Sequence, residues 1–185
     1  MITAIHYENG CKWSLQHAKV VTSATFWASQ IWRISKPASG MSASGVRQLY
    51  NTVAVPGFTY RAEVWYTGLH KPKEEGNMKG SVAITNKMRS MQRKVASNIT
   101  GALRTTVGDT LDAHTGILPV DLLLNKVLFR AATRLCSLPD THPLHDILRS
   151  AAQRKFKRHR SPIHHLLHLS CLKPGTIETI KVVRR

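Results

Sequence analysis

Residues 84–101 read ITNKMRSMQRKVASNITG and contain the clearest helical pattern in the chain. The apolar residues of this stretch recur at intervals of three and four, which places them on one face of a helix. They are Ile84, Met88, Met91, Val95 and Ile99. Gly101 follows at the position where a glycine often ends a helix. We therefore predict one amphipathic helix that ends at Gly101.

The polar face of this predicted helix is strongly basic. Lys87 and Lys94 lie on one side of it, and Arg89 and Arg93 lie on the other. Like charges one turn apart slightly destabilise an isolated helix. A basic face without acids therefore indicates an anionic partner. The alternative, a surface that is merely well solvated, stays open for this helix alone.

The other segments also favour helices, and no convincing strand pattern is present. We predict a mostly α fold, an irregular bundle of about six to eight helices with a basic C-terminal tail. In the second predicted helix, residues 44–53, Val46, Leu49, Tyr50 and Val53 are expected to point inward before Pro56-Gly57 turns the chain. The predicted domains are a helical module at 1–148 and a strongly basic segment with a short helix at 149–185.

Composition limits the class of protein. The chain has 185 residues, a net charge of +17 and 42% hydrophobic residues, which is enough for a core and argues against a wholly disordered basic tail. No apolar run approaches the roughly 20 residues that a membrane span requires. The chain has only three cysteines, and this small, odd number is typical of reduced intracellular proteins. We expect an intracellular protein, nuclear or cytoplasmic, without a membrane partner.

The acidic residues argue against catalysis. There are ten of them, and they are scattered, with no Asp-Asp doublet, no Asp-x-Asp and no phosphate-binding Gly-x-x-x-x-Gly-Lys-Ser/Thr loop. Polymerases and nucleases use clustered carboxylates to hold metal ions. We therefore predict no catalytic residues, no cofactor and no enzymatic activity for this chain alone.

Histidines and cysteines are concentrated late in the sequence. His164, His168 and Cys171 follow one another at helical spacing and could face a zinc ion together. No fourth ligand is evident, and no Cys-x-x-Cys pair exists. Ordinary polar or interfacial histidines are the more common explanation, so we predict no metal site.

Two groups of basic residues are the candidate contacts to an anionic partner. Residues 149–185 hold ten basic residues and one acid, a density that attracts polyanions by counterion release. A solvated linker is the alternative for that run. The candidate residues are Lys87, Arg89, Arg93, Lys94 and Arg104 in the first group, and Lys155, Lys157, Arg158 and Arg160 in the second.

Several short segments, taken in order, resemble a known family. They are GMS, VRQLY and VAVP within 40–56, YRAEVW at 60–65, QR, ITGALRTT and GILPV within 92–120, LP and HPL within 138–144, and SPIH at 161–164. This series resembles the region that follows the polymerase palm in LINE-type, non-LTR retrotransposon reverse transcriptases of the kind abundant in fungal genomes. The resemblance covers roughly residues 10–185. At Arg61 the sequence departs from the family, which more often has a small residue there.

The resemblance implies a function that composition alone does not. In that family a Tyr/Phe-x-Asp-Asp palm precedes this region and an RNase H domain often follows it, and neither is expected in this sequence. The chain would correspond to the thumb and connection, a non-catalytic fragment of an RNA-directed DNA polymerase that contacts the template–primer backbone. The missing palm would lie in cis in the parent element. A domesticated protein-interaction module and a functionless truncated pseudogene product are the alternatives.

Overall fold

A computed structural model describes residues 5, 13–35, 40–70, 77–153 and 162–179. This part of the chain is mostly helical and confirms the predicted α-helical bundle. The helices are α1 (Ser14–Ile34), α2 (Ala43–Leu49), α3 (Val55–Phe58), α4 (Ala62–Trp65), α5 (Val82–Thr100), α6 (Gly108–Thr115), α7 (Val120–Cys136), α8 (His145–Gln153) and α9 (Pro162–Ser170). A π-helical segment spans Tyr50–Ala54, and the strands β1 (Leu69–His70) and β2 (Lys79–Gly80) form one short antiparallel pair.

The chain divides into two compact units, and each of them is discontinuous in sequence. Unit 1 comprises Met1–Arg61 and Ser81–Leu123, and unit 2 comprises Ala62–Gly80 and Leu124–Arg185. The boundary that the sequence suggested after residue 148 lies within α8. The division into 1–148 and 149–185 stays a prediction about domain organisation.

The core of unit 1 forms where α1 packs against α5. The buried face of α1 consists of Gln16, Val20, Ala24, Ala28 and Ile31, which recur at helical spacing. Thr25 Oγ1 lies 3.6 Å from the Met91 sulfur and joins the same two helices at their margin.

Helix α5 follows the sequence prediction closely. Its side chains Ile84, Met88 and Val95 are each at most 3% exposed, whereas Met91 and Ile99 are only half-buried at the edges of the apolar face. Gly101 ends the helix with a φ of 66°, a left-handed conformation that favours glycine. A local apolar pattern and a local stop signal were thus sufficient to define this element.

The segment after α2 differs from the prediction, because Pro56-Gly57 does not turn the chain. The helix continues through a π turn at Tyr50–Ala54 into α3, and the Val55 N–H donates to the Tyr50 carbonyl, five residues back. Proline has no N–H to donate, and its ring would collide with the carbonyl four residues earlier in a regular α-helix. The wider turn immediately before Pro56 lets the helix pass this residue without a break.

The π turn also changes which residues face the core. Val46 and Tyr50 are buried as predicted, but Val53 is 40% exposed and the prediction for it was wrong. The buried positions that follow are Ala54, Val55, Phe58 and Thr59. The additional residue in the wide turn rotates the later side chains by about one helical position, and α-helical spacing does not anticipate this shift.

Unit 2 has a core of its own. Cys136, Leu148, Ala151 and Leu167 form a buried cluster contributed by α7, α8 and α9. Half-buried apolar residues surround it: Leu135, Leu138, Ala152, Ile163, Leu172 and Ile177. Burial raises the pKa of the Cys136 thiol. Cys136 therefore packs in the core as a neutral thiol.

The segment before β1 belongs to the same unit, because α4 packs against α9. Gly68 has a φ of 72°, and a Cβ atom built on it would lie 2.6 Å from a methyl carbon of Leu169. Both the backbone conformation and the close approach of Leu169 therefore require glycine at this position.

Arg61, the departure from the family pattern, lies in a turn with a φ of 54°. Its side chain is exposed and its guanidinium lies 5.6 Å from the centre of the Tyr60 ring. The constraint at this site is therefore on the backbone and not on packing. A left-handed conformation disfavours residues with a Cβ atom.

We expect Arg61→Gly to raise the free energy of unfolding by about 0.5–1 kcal/mol, because glycine adopts this conformation without strain. Urea denaturation of the purified protein measures the change. Arg130→Gly is the matched control, since Arg130 is exposed within α7 and glycine there should cost about 1 kcal/mol. A loss of stability in both variants would contradict the relief of strain at Arg61.

Candidate nucleic-acid interface

The polar face of α5 presents two exposed lysines. Lys87 and Lys94 are seven residues apart, which is close to two helical turns, so both side chains project from the same side of the helix. Neither forms an ion pair with any acidic side chain in the part of the chain that the structure describes. Their charge is therefore available to an external anion.

Arg89 lies on the other margin of this face and is partly engaged. Its Nη1 donates to Asn86 Oδ1 at 3.1 Å, and its Nη2 lies 3.7 Å from Asp121 Oδ1 at the start of α7. The two charged side chains are 53% and 35% exposed, so solvent weakens the attraction between them. Arg89 can exchange this long ion pair for a stronger anionic partner.

Arg93 has a different role from its neighbours. Its Nη2 donates to the carbonyl of Arg104 at 2.8 Å and to the carbonyl of Thr106 at 2.6 Å. These contacts tie α5 to the loop that precedes α6. By binding these two carbonyls, the Arg93 guanidinium positions the loop. Part of its hydrogen-bonding capacity is therefore already used by the backbone.

The loop between α5 and α6 carries the fifth residue of the first group. The Thr106 N–H donates to the Leu103 carbonyl at 3.0 Å and closes a turn around Arg104, whose side chain is exposed. Because Arg93 holds the Arg104 carbonyl, the structure brings Arg93, Lys94 and Arg104 to one end of α5. Lys87 and Arg89 lie nearer the beginning of the same helix.

The segment that contains α5 and the loop after it has no acidic residue to balance its basic ones. From residue 81 to residue 108 there are five basic residues and no acid. They are Lys87, Arg89, Arg93, Lys94 and Arg104. The second predicted group, Lys155, Lys157, Arg158 and Arg160, lies outside the described residues.

A buried polar cluster joins α5 to neighbouring segments of the chain, and the sequence analysis did not predict it. Tyr50 Oη donates to Gln92 Oε1 at 3.2 Å, while Gln92 Nε2 donates to Asp112 Oδ1 at 3.0 Å and to the Leu118 carbonyl at 3.1 Å. One glutamine thus connects the π segment, α6 and the loop before α7. A single polar residue within the predicted apolar face was the signal for it.

The surroundings of this cluster shift two ionisation equilibria. Burial raises the pKa of the Tyr50 hydroxyl, and the negative charge of Asp112 adds to the effect. Desolvation also raises the pKa of the Asp112 carboxyl, although the hydrogen bond from Gln92 opposes the shift. Tyr50 therefore remains a neutral hydrogen-bond donor at neutral pH.

Another basic residue that the sequence did not single out, Arg47, is also used internally. Its Nη1 donates to the carbonyl of Thr115 at 3.4 Å, at the end of α6, where Gly116 has a φ of 62°. Arg93 therefore binds backbone carbonyls before α6, and Arg47 binds the carbonyl of the last residue of α6. Both contacts depend on the packing of helices that are distant in sequence, so no local pattern could reveal them.

The late histidines do not assemble a metal site within the described residues. His145 Nε2 lies 3.0 Å from Asp140 Oδ1, and His168 and Cys171 are both exposed. No set of three or more histidine, cysteine or acidic side chains converges as metal ligands would among the residues that are placed.

No family model, curated protein or solved structure matches this chain. The resemblance to a reverse-transcriptase region therefore stays a prediction from the sequence. Within the described ranges, no helix combines the length and the apolar character that crossing a bilayer demands.

Proposed function

We propose that this chain is a non-catalytic module that binds the sugar–phosphate backbone of nucleic-acid duplexes through α5 and the loop after it. The observation that carries the proposal is the basic segment 81–108, which contains five basic residues and no acid, and in which Lys87 and Lys94 are exposed and unpaired within the described chain. Basic side chains grouped in this way gain affinity for a polyanion by releasing condensed counterions.

The residues contribute in different ways. Lys87, Lys94 and Arg104 contact phosphates directly, and Arg89 joins them by giving up its long contact with Asp121. Arg93 acts mainly as a positioning residue, because it holds the backbone on either side of Thr105. Such contacts carry little sequence information, so affinity should be similar for unrelated duplexes.

The ordered sequence segments support a more specific proposal for the origin of the module. It corresponds to the thumb and connection of a LINE-type reverse transcriptase, and the parent element supplies the palm that performs polymerisation. The lysine and arginine residues of the second group, within 155–160, would supply separate contacts to the phosphates. A nucleic-acid partner implies an intracellular location, nuclear or cytoplasmic.

The double variant Lys87→Gln/Lys94→Gln tests the proposed interface. Each phosphate contact contributes about 0.9 to the slope of log K against log salt on B-form DNA, so the variant should reduce that slope by up to about 2 units. Fluorescence anisotropy with two duplexes of unrelated sequence, over a range of salt concentrations, gives the slope. Both side chains are exposed, so thermal unfolding should be unchanged.

Lys126→Gln/Arg130→Gln is the matched control, because it removes two exposed positive charges one turn apart on α7. This variant should leave the slope close to that of the parent. If both double variants change the slope equally, the binding is diffuse and α5 is not the interface. If the parent binds no duplex at low salt, the proposed function is wrong.

A further inference from the structure

The loop between α5 and α6 exposes two apolar side chains beside Arg104. Leu103 is 76% exposed and Val107 is 63% exposed, the two largest values among the large hydrophobic residues that the structure describes. Both lie within four residues of each other, on either side of an exposed arginine. Exposing apolar side chains to water is unfavourable, so their positions here do not stabilise the folded chain.

Hydrogen bonds hold the loop between α5 and α6 in its shape. Gly101 and the turn between Leu103 and Thr106 fix its beginning, and the Arg93 guanidinium binds two of its carbonyls. The Ala102 N–H also donates to Thr100 Oγ1 at 3.3 Å. Leu103 therefore lies on a backbone that is already ordered by hydrogen bonds. The loop would lose little conformational entropy when Leu103 enters a binding site.

The charge around the loop favours one class of partner. Arg104 lies within it and Arg93 and Lys94 precede it on α5, whereas the nearest acid in the sequence is Asp109, two residues after Val107. Apolar side chains that are flanked by basic ones are characteristic of proteins that insert a wedge between base steps while contacting the adjacent phosphates. A second copy of this chain would bring the same positive charge to the contact and would be repelled.

We propose that Leu103 is an apolar wedge that enters a groove of the bound duplex and partly unstacks a base step, with Val107 packing beside it and Arg104 neutralising the nearby phosphate. This inference rests on the proposed function, because the wedge acts on the duplex that α5 holds. It adds a contact with the bases to an interface otherwise made with the backbone.

Leu103→Gln separates the wedge from the electrostatic contacts. We expect duplex affinity to fall by about three- to tenfold, because an apolar contact is lost. The slope of log K against log salt should stay at the parent value, because no charge is removed. In a duplex that carries 2-aminopurine, the parent should increase the fluorescence of the base by unstacking it, and the variant should not.

Leu15→Gln is the matched control, because Leu15 is 43% exposed on α1 and lies outside the loop. It should bind and unstack the duplex as the parent does. If Leu103→Gln binds as tightly as the parent, or if the parent gives no fluorescence increase, the wedge is wrong while the salt-dependent interface stands. If the parent binds no duplex, the proposed function itself has failed.

Discussion

Val95→Asp is expected to lower the free energy of unfolding by about 3–5 kcal/mol, the cost of an uncompensated charge in the interior. Val95 is 1% exposed on the apolar face of α5, and Met88 and Ala96 are buried on the same helix. The carboxylate would lose its hydration without gaining a cation, since the basic residues of α5 project from other faces. Urea denaturation followed by circular dichroism measures the loss.

Ser90→Asp is the control for this variant. It introduces the same side chain on the same helix, at a position that is exposed, and its effect should stay within about 0.5 kcal/mol. Equal stability of the two variants would mean that α5 does not pack against the core through Val95.

Gln92→Leu is expected to cost about 2–4 kcal/mol, even though leucine is apolar and similar in size. The substitution removes three hydrogen bonds and leaves the Tyr50 hydroxyl and the Leu118 carbonyl without the partner that Gln92 provides. A buried polar group left unsatisfied costs about 1–3 kcal/mol. Gln48→Leu, on the exposed surface of α2, should change stability by less than about 0.5 kcal/mol.

A double-mutant cycle identifies the source of the loss. Tyr50→Phe removes the hydroxyl that Gln92 accepts from, so the combined variant Gln92→Leu/Tyr50→Phe should cost less than the sum of the single variants. Strict additivity would show that Tyr50 and Gln92 do not share a hydrogen bond in solution.

Local patterns predicted the elements whose causes are local. The apolar spacing of α5 and its stop at Gly101 lie within one short segment. The inward position of Val53 failed because a π turn, and not a break at Pro56, accommodates the proline. The choice between those two solutions depends on what the later turns pack against, which the segment itself does not encode.

The candidate interface was predictable in composition but not in detail. The five basic residues and the absence of acids between residues 81 and 108 are visible in the sequence. Arg93 binds the backbone of the loop, and Arg47 binds the carbonyl of the last residue of α6. Both contacts depend on helices that meet only after folding. The burial of Gln92 has the same origin, since its partners come from three separate elements.

The discontinuity of the two units has a consequence for synthesis on the ribosome. Helix α4, with Trp65 and Tyr66 at its end, leaves the ribosome long before α9, which begins at Pro162 and packs against it. At about 5–20 residues per second, this delay is on the order of 5–20 s. During that interval α4 lacks its packing against α9, whereas unit 1 is complete once Leu123 has been synthesised. A slower translation rate would therefore lengthen the time for which α4 stays without this packing.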